Sequence, residues 1–90
     1  MIYDWYLIFN KAEFEAAGLV SRTVSVFLED IGEKEVLITK GNELGVLYED
    51  TFLMVNFEEN NPWAISPYAV FWDEETDDVY LGIESEDQEA

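Results

Sequence analysis

The feature that most limits how this chain can fold is a two-residue hydrophobic period that begins at Arg22 and recurs almost to the C-terminus. Val24, Val26 and Leu28 alternate with Thr23, Ser25 and Phe27. Val36 and Ile38 repeat the pattern within Glu35 to Lys40. Alternation of this kind places every second side chain on one face of a strand. Between such runs lie acidic turns at Glu29-Asp30-Ile31-Gly32-Glu33 and Glu49-Asp50, and at Asp73 to Asp78. The pattern predicts three hairpins: Arg22 to Leu28 with Glu35 to Lys40, Leu44 to Tyr48 with Phe52 to Phe57, and Ala69 to Trp72 with Val79 to Ile83. Upstream, Ile2 to Phe9 is apolar on nearly both faces, which predicts a central, covered strand. Asn10 then sits in a helix-capping position with Glu13 three residues on, and Gly18 is placed to stop a helix over Lys11 to Ala17. The expected class is α+β, mostly β: a small antiparallel sheet or partly closed barrel with one short N-terminal helix. With 90 residues, of which 49% are hydrophobic, the chain reads as a single domain over 1–84 with an acidic tail over 85–90.

Charge limits function more than fold. Twenty-one acidic residues face four basic ones, Lys11, Arg22, Lys34 and Lys40, for a net charge of −17. Small soluble domains typically carry a net charge of about 2–8 in magnitude. Direct nucleic-acid binding needs a basic face, and an anionic membrane repels such a chain, so neither partner is expected. Histidine and cysteine are absent, which removes the usual general base, the usual zinc ligands and thiolate chemistry. Met1 to Phe9 lacks a basic leader, and no apolar run nears the roughly 20 residues that span a bilayer. The expected compartment is the cytoplasm.

The stretch Lys40-Gly41-Asn42-Glu43-Leu44-Gly45-Val46-Leu47, with Phe52 to Phe57 and Trp63-Ala64-Ile65-Ser66-Pro67, resembles SH3-like barrels. These have a Gly-x-x-Gly-x-Val turn and strand, an apolar strand ending in Phe, and a short return strand. The resemblance implies tight bends at Gly41 and Gly45 and a barrel filled by Val46, Val55 and Phe57. It implies no activity.

Carboxylates are the only abundant reactive groups. Glycosidase-type acid/base work needs two buried carboxyls at fixed separation in a cleft, and these acids sit mostly in turns. The Asp73–Asp78 run lacks the spacing of a calcium loop, and Gly41 to Gly45 lacks the lysine and hydroxyl of a phosphate loop. Ser21, Ser25, Ser66 and Ser85 have no histidine partner. No enzyme, cofactor or metal is expected. Among the aromatics, mostly core-filling, Trp63 beside Pro62 and Trp72 at the mouth of the acidic turn are the candidate interface anchors.

The acids themselves form the candidate partner-binding set. Asp73, Glu74, Glu75, Asp77 and Asp78 supply five acids in six residues. Glu29, Asp30 and Glu33 form a second group, with Glu49, Asp50, Glu58 and Glu59 at further loops. Duplex DNA carries one charge per about 1.7 Å, whereas same-face residues of a strand repeat at about 6.6 Å, so several turns must combine to imitate it. In size, charge and lack of catalytic groups the chain resembles phage-encoded DNA mimics that inhibit restriction enzymes, CRISPR effectors, repair enzymes or nucleoid proteins. That resemblance implies a non-enzymatic inhibitor occupying a basic nucleic-acid-binding protein. The alternative is an acidic β-rich adaptor or phage assembly module that docks a basic protein surface without imitating DNA. A protein from a high-salt cell would spread its acids evenly, and these cluster. A homodimer is left open, and would lengthen any acidic stripe.

Overall fold

The computed structural model describes residues 3–18, 20–28, 32–40, 44–55, 57, 63–65 and 67–84, with the side chains of Trp63 and Ile65 outside that description. The elements run β1 (Tyr3–Asn10), α1 (Lys11–Ala16), β2 (Ser21–Leu28), β3 (Gly32–Lys40), β4 (Leu44–Tyr48), β5 (Thr51–Met54), β6 (Trp63–Ile65), β7 (Tyr68–Asp73) and β8 (Asp78–Glu84). They form two four-stranded antiparallel sheets. One has the order β1-β8-β7-β6 and the other the order β2-β3-β4-β5. All three expected hairpins form, with the mostly-β class and the short helix.

The second sheet is a meander that follows from its alternation. Val24, Val26, Val36, Ile38, Val46 and Leu53 share the inner face, with Val24 opposite Val36, Ile38 opposite Val46 and Val46 opposite Leu53. The first sheet turns Val70, Val79 and Leu81 toward the same core. Both inner faces thus belong to one hydrophobic cluster. Helix α1 is too short to persist alone. It is held by Phe14, fully buried with its ring 5.5 Å from that of Phe9, and by the Asn10 cap, whose Oδ1 accepts from the Glu13 N–H at 3.0 Å.

The SH3-like barrel is corrected. The chain makes two open sheets: β1 lies against β2 and β5 against β6, but no ladder joins the sheets among the described residues. Gly41 lies outside the described residues. Gly45 does not bend the chain; it sits within β4 beneath the Phe52 ring, where an added Cβ would meet the ring Cζ at 2.2 Å.

The first strand is also placed differently. Among the described residues β1 is an edge strand, paired with β8 alone. Its register runs Tyr3↔Glu84 through Leu7↔Tyr80, then shifts so that Phe9 faces Val79. The unpaired Ile8 is the extra residue of a bulge, which reverses the alternation. Ile8 and Phe9 are therefore both buried, while Tyr3, Trp5 and Leu7 fall on the outer face. The two-sided apolar pattern reflects a phase change and an aromatic outer face, not a covered central strand.

Candidate functional site

The Asp73–Asp78 hairpin is a tightly organised loop. The Asp77 N–H donates to the Asp73 carbonyl at 2.7 Å, and Asp77 takes a left-handed φ of 67°. Asp73 Oδ1 accepts from the Glu75 N–H at 3.0 Å, and Thr76 Oγ1 accepts from the Asp78 N–H at 3.3 Å. The loop is anchored to the start of α1. Lys11 N–H donates to the Asp77 carbonyl at 2.7 Å, and Asn10 Nδ2 donates to the Thr76 carbonyl at 3.0 Å and to Asp78 Oδ1 at 2.9 Å. Trp72 is half-buried, its Nε1–H bonded to Asp77 Oδ1 at 3.0 Å and its ring edge-on to Phe57 at 5.1 Å. Three of the five acids here, Asp73, Asp77 and Asp78, hold the loop together, and Trp72 packs against the core instead of standing free. Glu74 and Glu75 are the acids left exposed.

A second acidic group forms on the outer face of the meander. Glu35, Glu49 and Asp50 line an open depression with Thr23, Leu37 and Leu47. Glu33 is exposed one pleat away, opposite Phe27. Lys34 Nζ lies 3.5 Å from Glu49 Oε2, an exposed pair of small energetic weight. Glu49 and Asp50 themselves carry positive φ of 51° and 63°.

The two groups do not merge. Tyr48, leading into the Glu49-Asp50 turn, packs on Tyr68 at the start of β7, with ring centroids 5.1 Å apart. Asp73 ends that strand five residues later, about 17 Å away at roughly 3.3 Å per residue. Glu29, Asp30, Glu58 and Glu59 lie outside the described residues. Trp63 opens β6 opposite Val70, and its side chain lies outside them too. Among the described residues no group of three or more carboxylates is gathered as for a metal ion. No helix is long and apolar enough to cross a membrane.

Exposed apolar side chains lie outside the candidate set that the acids, Trp63 and Trp72 define. Trp5 (40% exposed) and Leu7 (56%) stand on the outer face of the first sheet, and Phe27 (70%) and Phe52 (50%) on that of the second. Their signal was present: Trp5 and Leu7 share a parity with Tyr3, and Phe27 alternates with Val26 and Leu28. Tyr48 is buried in the core, and its hydroxyl is pushed above the usual tyrosine range, first by burial, then by the charge of Glu49 and by Tyr68 and Tyr6.

Fold and surface together define a two-sheet antiparallel β protein with acidic turns and aromatic outer faces. Comparison with family models, curated proteins and solved structures found no match for the chain. The resemblance to phage-encoded DNA mimics is therefore withdrawn: no relative carries it, and the described acids form separate groups, three of them committed to loop hydrogen bonds, instead of one stripe.

Proposed function

We propose that this chain is a non-enzymatic binding module, an acidic β-rich adaptor that docks a basic protein surface. The observation that carries this is the pairing of exposed aromatic and aliphatic side chains on both outer sheet faces with acids that far outnumber internal cations. Of the four cations, Lys11 pairs with Glu15 at 3.5 Å and Lys34 with Glu49. Exposed apolar surface beside charge is the usual make-up of a protein interface, with an apolar centre and a polar rim. The cytoplasm is the compartment this reading takes.

The test is capture from nuclease-treated lysate on immobilised protein, eluted by a salt gradient. It is run beside a variant in which Glu33, Glu35, Glu74 and Glu75 are changed to Gln. None of these four side chains holds the fold. Recovery of a basic protein from the native chain, its loss from the variant and elution at moderate salt support the reading. Equal recovery on both, indifferent to salt, overturns it. Added duplex DNA decides the narrower question: displacement by DNA marks the module as an inhibitor imitating nucleic acid, and indifference leaves it an adaptor.

A further inference from the structure

On the outer face of the first sheet, Trp5, Phe71, Tyr80 and Asp73 line an open trough of about 450 Å³. Register builds it. Phe71 faces Tyr80 across β7 and β8, and Trp5 faces Gly82 across β1 and β8. Gly82 is required there. Its missing side chain lets the indole lie flat across β8, and a Cβ would meet Trp5 Cζ3 at 2.6 Å. The Trp5 and Phe71 rings meet edge to face with centroids 6.1 Å apart. Asp73 has the same parity as Phe71 and closes one end, directly opposite Asp78. Like charges directly opposed across a ladder repel each other.

Among the described residues, no lysine or arginine lines the trough or lies in the sheet that carries it. Lys11 lies in α1, where it pairs with Glu15 and sits 5.2 Å over the Phe57 ring. Arg22, Lys34 and Lys40 all belong to the other sheet. Aromatic faces beside a carboxylate attract a cation through ring quadrupole and charge together, most strongly one that is planar and weakly hydrated.

We propose that this trough receives an arginine side chain of the basic partner, its guanidinium stacked on Trp5 between Phe71 and Tyr80 and bonded to Asp73. The proposal deepens the adaptor reading and rests on it.

The probe is the peptide acetyl-Gly-Arg-Arg-Gly-amide, titrated into ¹⁵N-labelled protein at low salt, with its citrulline counterpart as the uncharged isostere. The expected result is a shift of the Trp5 indole N–H and of the Phe71 and Tyr80 amides, with affinity at least fivefold weaker for citrulline. Trp5→Leu and Asp73→Asn should each weaken the arginine peptide threefold or more, while Glu13→Gln, remote on α1, should not. Asp73→Asn retains an oxygen to accept from the Glu75 N–H, so the loop survives that change. If the peptide binds but shifts other residues, and both variants bind as the native chain does, the trough is not the site and the adaptor reading stands. If the peptide binds nowhere and lysate capture also fails, both fall.

Discussion

Replacing Glu49-Asp50 with Asn-Gly should stabilise the protein by about 1 kcal/mol. The register Tyr48↔Thr51 leaves only two residues to join β4 to β5, and both carry positive φ, 51° and 63°. This is the hairpin turn whose twist matches the strands, and Asn-Gly is the pair that occupies it with least strain. A left-handed conformation costs an ordinary residue roughly 1–2 kcal/mol and an Asp somewhat less, so the two sites together store about 2 kcal/mol. Against this, glycine loosens the unfolded chain at a cost of about 0.5 kcal/mol. Losing the exposed Lys34–Glu49 pair costs about another 0.5 kcal/mol. The net gain of about 1 kcal/mol corresponds to a rise in Tm of roughly 4–8 °C for a domain of this size. Removing two acids also relieves repulsion in a chain of charge −17, so the melt is repeated near 1 M salt, where the Debye length is about 3 Å. A control Glu49→Gln/Asp50→Ser variant removes the same charge without suiting the turn. If the Asn-Gly variant melts no higher than this control at high salt, the turn stores no strain and the reasoning fails.

Three further outcomes are expected. Asn10→Ala removes the α1 cap and both bonds to the acidic loop, and should cost about 2–3 kcal/mol in urea denaturation; a loss under about 0.5 kcal/mol would show that the loop is held otherwise. Phe14→Ala empties a fully buried site and should cost about 3–5 kcal/mol, with α1 amides losing hydrogen-exchange protection first; uniform loss across the chain would contradict the helix's dependence on that ring. The Tyr48 hydroxyl titrates above its unfolded value of about 10, so its contribution is complete below that pH and is lost as pH rises through the folded value. Tyr48→Phe should therefore flatten the alkaline fall in stability, and an unchanged slope would assign that fall elsewhere.

The hairpins were legible because their signal is local: Val24, Val26, Val36 and Ile38 alternate, and acidic turns separate the runs. The place of β1 was not, because its partner lies more than 60 residues away and the Ile8 bulge reverses a pattern that reads as apolar on both sides. β6 has three residues, too few for a period to show. Gly45 was read as a bend because a glycine in a strand and a glycine in a turn look alike without the facing ring. Counting acids could not separate Asp77 and Asp78, held by Trp72 and Asn10, from the exposed Glu74 and Glu75. The trough was hidden for the same reason as β1: residue 5 reaches the hairpin pair 71 and 80 only through the long-range pairing of β1 with β8.

The pairing of β1 with β8 also sets an order of events during synthesis. The meander β2-β3-β4-β5 closes through neighbouring segments as each emerges. β1 is made before the other strands and finds no ladder until β8 exists, and 68 residues separate Asn10 from Asp78. At about 5–20 residues per second, that leaves β1 unpaired for roughly 3–14 s on each ribosome. Throughout that interval Trp5, Leu7, Ile8 and Phe9 present a bare apolar strand. The nascent chain is thus most exposed to aggregation, and most dependent on a chaperone, along β1.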